Sequence, residues 1–192
     1  MFAELLRQRI PISDAQVAAL EAHWELLKKW NRALNLTTIN MVEEAVERHY
    51  CESWFLARVL PARPLRIVDI GSGAGFPGFP VAVFRPDCEL TLIESHQRKA
   101  VFLKEASRGI ANIRVLAKRA QDVKETFDWG VSRAVSYEDL LKLLPRLAPN
   151  VALLSGSEVP PAKWALDWQR PALLPWGLQR YLRVGVSRET DR

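Results

Sequence analysis

Cysteine is scarce. There are two in 192 residues, Cys51 and Cys88, far apart and in no ligand spacing with His23, His49 or His96. This excludes a disulfide framework and a zinc finger, and predicts a reduced compartment and no metal. No stretch approaches 18 consecutive apolar residues, so no membrane helix is expected. The opening Met1-Phe-Ala-Glu-Leu-Leu-Arg lacks the apolar core of a signal peptide. A cytoplasmic protein is therefore expected. Internal repeats and low-complexity tracts are also missing. What is present is apolar bulk, 48% of the chain, enough for one sizeable core and an appendage.

The net charge of +5 is unevenly spread. Residues 96–133 carry nine Lys and Arg against four Asp and Glu, whereas residues 64–95 carry two against four. A basic stretch of this kind suits a polyanionic partner without naming it.

The first 60 residues read as helix. Ser13 with Gln16 three positions on forms a capping box, and Val17, Leu20, Trp24, Leu27, Trp30 and Leu34 recur at steps of three and four. Asn40 with Glu43 signals a second start, for a helix through Val59 in which Glu44 and Arg48 pair. From Arg66 strand and helix patterns alternate, which argues a parallel sheet covered on both faces. Strands are expected at 66–70, 89–94, 112–116, 127–132 and 150–154, and helices at 78–84, 96–108 and 137–147. Beyond Ser155 four prolines break the pattern, until Tyr181-Leu-Arg-Val-Gly-Val suggests one edge strand.

Between the first strand and helix lies Val68-Asp-Ile-Gly-Ser-Gly-Ala-Gly-Phe-Pro-Gly. Glycines at 71, 73 and 75 allow a sharp turn and bring bare backbone close to a ligand. A second apolar run ends in Glu94, 25 residues after Asp69, placed to accept hydrogen bonds from ribose hydroxyls. A dinucleotide and S-adenosylmethionine both fit such a site. Three features favour the second. Asp69 closes the first strand with an acid, Glu94 arrives early at 16 residues after Gly78, and a long helical segment precedes the strand.

Ligands in such sheets lie beyond the carboxyl ends of the strands. That places Arg98, Lys99, Arg119 and Arg133 near one another. Ser95 reads as a helix cap, so Arg98 and Lys99 fall in a first turn, where positive charge is disfavoured by roughly 0.3–1 kcal/mol each. An external anion is a reason to hold them there. The chain lacks a Pro-Cys pair for cytosine C5 chemistry, and Pro160-Pro161 stands outside an Asp/Asn-Pro-Pro-aromatic context for exocyclic amines. An acceptor nitrogen with a free lone pair, such as guanine N7, needs neither, because orientation alone supplies much of the acceleration.

Trp30-Asn31, Asn35-Leu36-Thr37, Arg48-His49, the glycine loop, Leu92-Ile-Glu-Ser, Arg98-Lys99, Arg119-Ala120, Phe127-Asp128 and Ser132-Arg133-Ala134 together resemble the bacterial small-subunit ribosomal RNA guanine-N7 methyltransferases, once called glucose-inhibited division protein B. The resemblance covers about residues 13–155. It implies an α/β fold, a doubly wound, mostly parallel, Rossmann-like class I methyltransferase sheet (64–192) with an N-terminal helical cap (1–63). It implies S-adenosylmethionine as cofactor and small-subunit ribosomal RNA or the assembled subunit as partner; a monomer is the default expected of an enzyme that must reach a ribosomal surface. By position it assigns Asp69, Gly71, Ser72, Gly73, Gly75 and Phe76 to the cofactor loop, Glu94 to the ribose, and Ala120 and Gln121 to the adenine. Arg133 takes the catalytic place between cofactor and substrate and is counted among the cofactor-binding residues too, and His49, Arg98, Lys99 and Arg119 contact RNA. The departures are Gln121 and Glu52, where the family has Glu and Asp, and a tail that lacks the family's lysine-glycine turn. A small-molecule acceptor, a nicotinamide-linked oxidoreductase and a cofactor-less RNA-binding module are the competing readings.

An arginine reading guanine O6 and N7 together would occupy the lone pair that must attack. Arg98, Lys99 and Arg119 are therefore assigned to binding. Alanine at each should weaken RNA binding and lower the slope of affinity against salt, leaving cofactor affinity nearly unchanged; filter-binding salt titrations measure this.

Overall fold

The computed structural model describes residues 1–188. Helices α1 (Phe2–Arg9) and α2 (Asp14–Leu34) open the chain. Ser13 Oγ accepts from the Gln16 amide while Gln16 Oε1 accepts from the Ser13 amide, the reciprocal box read from the sequence. Asn35 ends α2 in the left-handed region at φ 47°, a conformation asparagine tolerates.

The second part of the cap differs from expectation. Asn40 does not cap a helix; its amide donates to Thr38 O, and Met41 precedes the first turn. Helix α3 (Val42–Ala45) runs into a π-helical segment, Val46–Cys51, and on into α4 (Glu52–Val59). The wider turn shifts the inward face within one continuous helix. His49, Tyr50, Cys51, Glu52 and Ser53 are consecutively buried as a result.

Strand β1 (Arg66–Ile70) is followed by α5 (Gly78–Phe84), β2 (Glu89–Ile93), α6 (Gln97–Ala106) and β3 (Ile113–Leu116). A 3₁₀ turn at Ala120–Asp122, β4 (Trp129–Arg133), α7 (Tyr137–Leu147) and β5 (Asn150–Ser155) come next. Among the described residues three strands follow: β6 (Leu166–Trp168), β7 (Ala172–Leu173) and β8 (Tyr181–Ser187). The sheet order is β3-β2-β1-β4-β5-β8-β6, with β7 also paired to β8. The first five strands are parallel, and β8 lies antiparallel to β5. Burial at four of five positions in β1 and β2 follows from covering both faces.

The expected edge strand at Tyr181 is interior, flanked by β5 on one side and by β6 and β7 on the other. Those two short strands come from the proline-broken stretch, whose pattern concealed them. The cap is packed into the sheet body: Leu20, Trp24 and Leu27 of α2, with Tyr50, share one cluster with Phe76, Phe79 and Phe102. Strand order reverses between β1 and β4, and the crevice at their carboxyl ends is where an open α/β sheet takes a ligand.

Candidate functional site

The loop after β1 is tied down from beneath. Gly78, at the start of α5, donates its amide to Asp69 Oδ2 at 3.0 Å, and Ser72 Oγ donates to Asp69 O. A Cβ on Gly78 would sit 2.4 Å from Leu92 Cδ2 and 2.6 Å from Asp69 Oδ2, so only glycine fits there. Glu94 stands across the loop, with Oε2 accepting from the Gly73 amide at 2.9 Å and Oε1 from the His96 amide at 2.7 Å. Each carboxylate oxygen keeps a further lone pair for a hydroxyl donor. The second of these bonds moves the start of α6: His96, not Ser95, is its cap, with Nδ1 accepting from the Lys99 amide.

Asp69 is wholly buried, and its Oδ1 has no partner among the described residues. Burial pushes its carboxyl up to about 7, against the Gly78 and Ser72 hydrogen bonds. Since the folded value lies above the unfolded one, this group's contribution to stability is full below pH 4 and is lost as pH rises through about 7. Asp69→Asn should flatten that decline; thermal melts from pH 5 to 8 measure it.

Facing the loop, a cavity of about 460 Å³ is lined by Gly71–Ala74, Phe76, the cap loop Asn35–Ile39, Arg48, His49, Arg133, Ala134, Leu154–Gly156 and Arg180. A Cβ on Gly73 would meet protein only at Gly71 O, 3.8 Å away, so a side chain there would fill the cradle. Asp69, Gly75, Glu94, Ala120 and Gln121 lie outside this lining. Glu94 joins it through Gly73, while the turn holding Ala120 and exposed Gln121 is pinned by Arg146 of α7. Arg146 Nη2 donates to the carbonyls of both residues, and Nη1 donates to that of Val123.

Arg133 ends β4 and reaches the π-helical segment. Its Nη1 donates to the Arg48 carbonyl and, at 2.8 Å, to His49 Nδ1. That leaves the proton of His49 on Nε2, which donates to Thr37 Oγ1 at 3.0 Å. Burial and then the Arg133 charge hold His49 well below its usual value, so the ring is neutral. It stacks on Phe76, centroids 4.2 Å apart and planes 9° apart, and is 5% exposed. A buried ring wedged between loop and strand end is placed to orient Arg133 and Phe76.

Beneath them Glu52, wholly buried, takes Arg180 on both oxygens at 2.8 and 2.5 Å and lies 3.9 Å from Arg133. Burial lowers Arg133 to about 10, with Glu52 opposing, so it remains charged near neutral pH. Arg98 and Arg119 are exposed and Lys99 half-buried, and none of the three makes an ion pair among the described residues. Sequence reasoning missed Arg146, Arg180 and the anchoring role of Glu52, whose partners are distant in the chain.

The sheet order and the glycine loop with an acid closing each of two adjacent strands define a class I S-adenosylmethionine-dependent methyltransferase fold. A methyltransferase of that dependence from Aquifex aeolicus superposes with a TM-score of 0.56 at 14% identity, over 74% of this chain and 90% of that one. Magnesium protoporphyrin IX methyltransferase from Synechocystis PCC 6803, solved with S-adenosylhomocysteine, gives 0.62 at 12% identity over 91% and 100%. Residues 16–151 match the model of the family described as rRNA small subunit methyltransferase G, and the chain belongs to that family. The ribosomal RNA small subunit methyltransferase G of Nitrosococcus oceani is 39% identical over 134 residues, 68% of this chain and 62% of its own length. That of Aquifex aeolicus is 33% identical over 178 residues, covering 88% of this chain and 90% of the relative, so the likeness extends into the tail.

Proposed function

We propose that this protein transfers the methyl group of S-adenosylmethionine to N7 of a guanosine in small-subunit (16S) ribosomal RNA, as a cytoplasmic monomer that needs no metal. The observation that carries the choice of acceptor is the cavity lining, whose titratable side chains are Arg48, His49, Arg133 and Arg180. Among the described residues it holds no carboxylate, and both nitrogens of its one imidazole are engaged. A wall without a free base suits an acceptor that attacks through a lone pair and surrenders no proton.

The cofactor, when bound, supplies a sulfonium methyl open to in-line displacement, its positive charge passing to the methylated base. Gly71–Phe76 form the backbone cradle for it, Glu94 is placed to accept from the ribose hydroxyls, and Ala120–Gln121 flank the adenine position. Arg133 and His49 fix the wall against which the base is set, so orientation is their contribution. Arg98, Lys99 and Arg119 offer charge to the phosphates.

Methyl transfer from labelled S-adenosylmethionine to unmodified small subunits, followed by nucleoside analysis, tests the assignment. Label in 7-methylguanosine is the expected result. Label in another nucleoside, or transfer only to small molecules, would overturn it.

A further inference from the structure

His23 has no role in the proposed transfer, yet it is 1% exposed and bonded at both ring nitrogens. It sits in α2, within the helical cap. Its Nε2 lies 3.0 Å from Ala74 O, in the middle of the cofactor loop. A carbonyl only accepts, so Nε2 carries the hydrogen, and Nδ1 must accept from Tyr50 Oη at 2.8 Å. One tautomer satisfies both bonds, and it is neutral. Burial, which holds the ring at about 3, agrees.

Packing fixes the ring as firmly as its bonds do. It stacks on Phe79 at 4.3 Å and 21° and meets Phe76 edge-on at 5.2 Å and 86°. Gly75, at φ +92°, would carry a Cβ only 3.2 Å from His23 Nε2. The left-handed glycine therefore also makes room for the ring. Tyr50 comes from the π-helical segment, so two separate parts of the cap converge through His23 on Ala74, a residue of the cavity lining.

Resting on the cofactor reading above, we infer that His23 is a positioning residue for S-adenosylmethionine: its Nε2–H, oriented by Tyr50, holds the Ala74 carbonyl and so fixes the loop in its cofactor-binding shape. The cap is then part of the cofactor site as well as a wall of the substrate cavity. A His23 that served packing alone would be replaceable by any ring of similar size.

The test compares His23→Phe, which keeps a ring but lacks the donor, with His23→Gln, whose amide nitrogen falls near the Nε2 position. Calorimetry with S-adenosylhomocysteine on the full chain should show affinity lowered about tenfold by Phe and restored to within about threefold by Gln, whereas rRNA binding without cofactor stays within about twofold of native. Hydrogen exchange of the amides at 71–76, measured without any ligand, should be faster in His23→Phe than in the native or Gln proteins. Native affinity and native exchange in His23→Phe would overturn the inference. So would equal losses in both variants. If the native protein does not bind S-adenosylhomocysteine, the cofactor reading fails, and loop exchange alone then decides whether His23 holds the loop.

Discussion

Arg133→Ala is expected to lower kcat/KM for RNA methylation by roughly a hundredfold, the loss that follows from misplacing reacting groups by about 1 Å. Arg133 joins the end of β4 to the π-helical segment through the Arg48 carbonyl and His49 Nδ1. Without it His49 is free to change tautomer, its stacking on Phe76 loosens, and the wall behind the base moves. Arg133→Lys keeps the charge but replaces a planar fork by a point donor, so a loss of about tenfold is expected. Steady-state kinetics on small subunits, beside calorimetric affinity for S-adenosylhomocysteine, check this. The expected pattern is a fall in turnover with cofactor affinity within about threefold of native, and near-native turnover in Arg133→Ala would remove the residue from the catalytic position.

Glu52→Ala carries the largest expected cost in stability. The carboxylate is fully buried between Arg180 and Arg133, and its removal leaves one guanidinium without its partner and the other without its nearby counter-charge. Breaking a buried pair from one side costs roughly 3–5 kcal/mol. For a chain of this size that corresponds to a fall in Tm of about 10 °C. Replacing both partners, as in Glu52→Leu with Arg180→Met, should recover most of the loss, because a buried ion pair and an apolar pair of similar volume are often close in stability. Thermal melts of the two proteins decide it. A double variant no more stable than Glu52→Ala would show that the pair is not the unit at risk.

What could be read from the sequence was local. The glycine loop, its two acids and the capping box at Ser13 each declare themselves within a few residues, because turn and cap chemistry depend on near neighbours. The parallel strands were legible as apolar runs bounded by turns, and α7 was placed from Tyr137 to Leu147 as found. The rest depends on contacts that no window of sequence contains. Ser95 has the composition of a cap, but Glu94 engages the His96 amide and shifts the helix start by one residue. A continuous helix was expected through residue 59, and the π-helical segment within it aligns with the demands of Glu52, His49 and Tyr50 on three different partners. Arg180 lies 128 residues from Glu52. In a proline-rich tail it looked like any surface arginine.

The place of β8 bears on how the chain is made. The strand that lies between β5 and the short strands β6 and β7 is synthesised after all three of them, so β5 meets its antiparallel neighbour only once they have been made. Translation proceeds at roughly 5–20 residues per second, so Glu52 waits on the order of ten seconds after its own synthesis before Arg180 exists. During that interval Glu52, at the start of α4, lacks the arginine that takes both its oxygens, and β5 is an unpaired parallel edge open to other nascent chains. A nascent chain halted between β5 and β8 therefore carries the glycine loop without Arg180, one of the residues that line the same cavity. The cavity lining and the antiparallel neighbour of β5 thus wait on one late segment, residues 180–187, and until it emerges the half-built sheet is open to proteolysis.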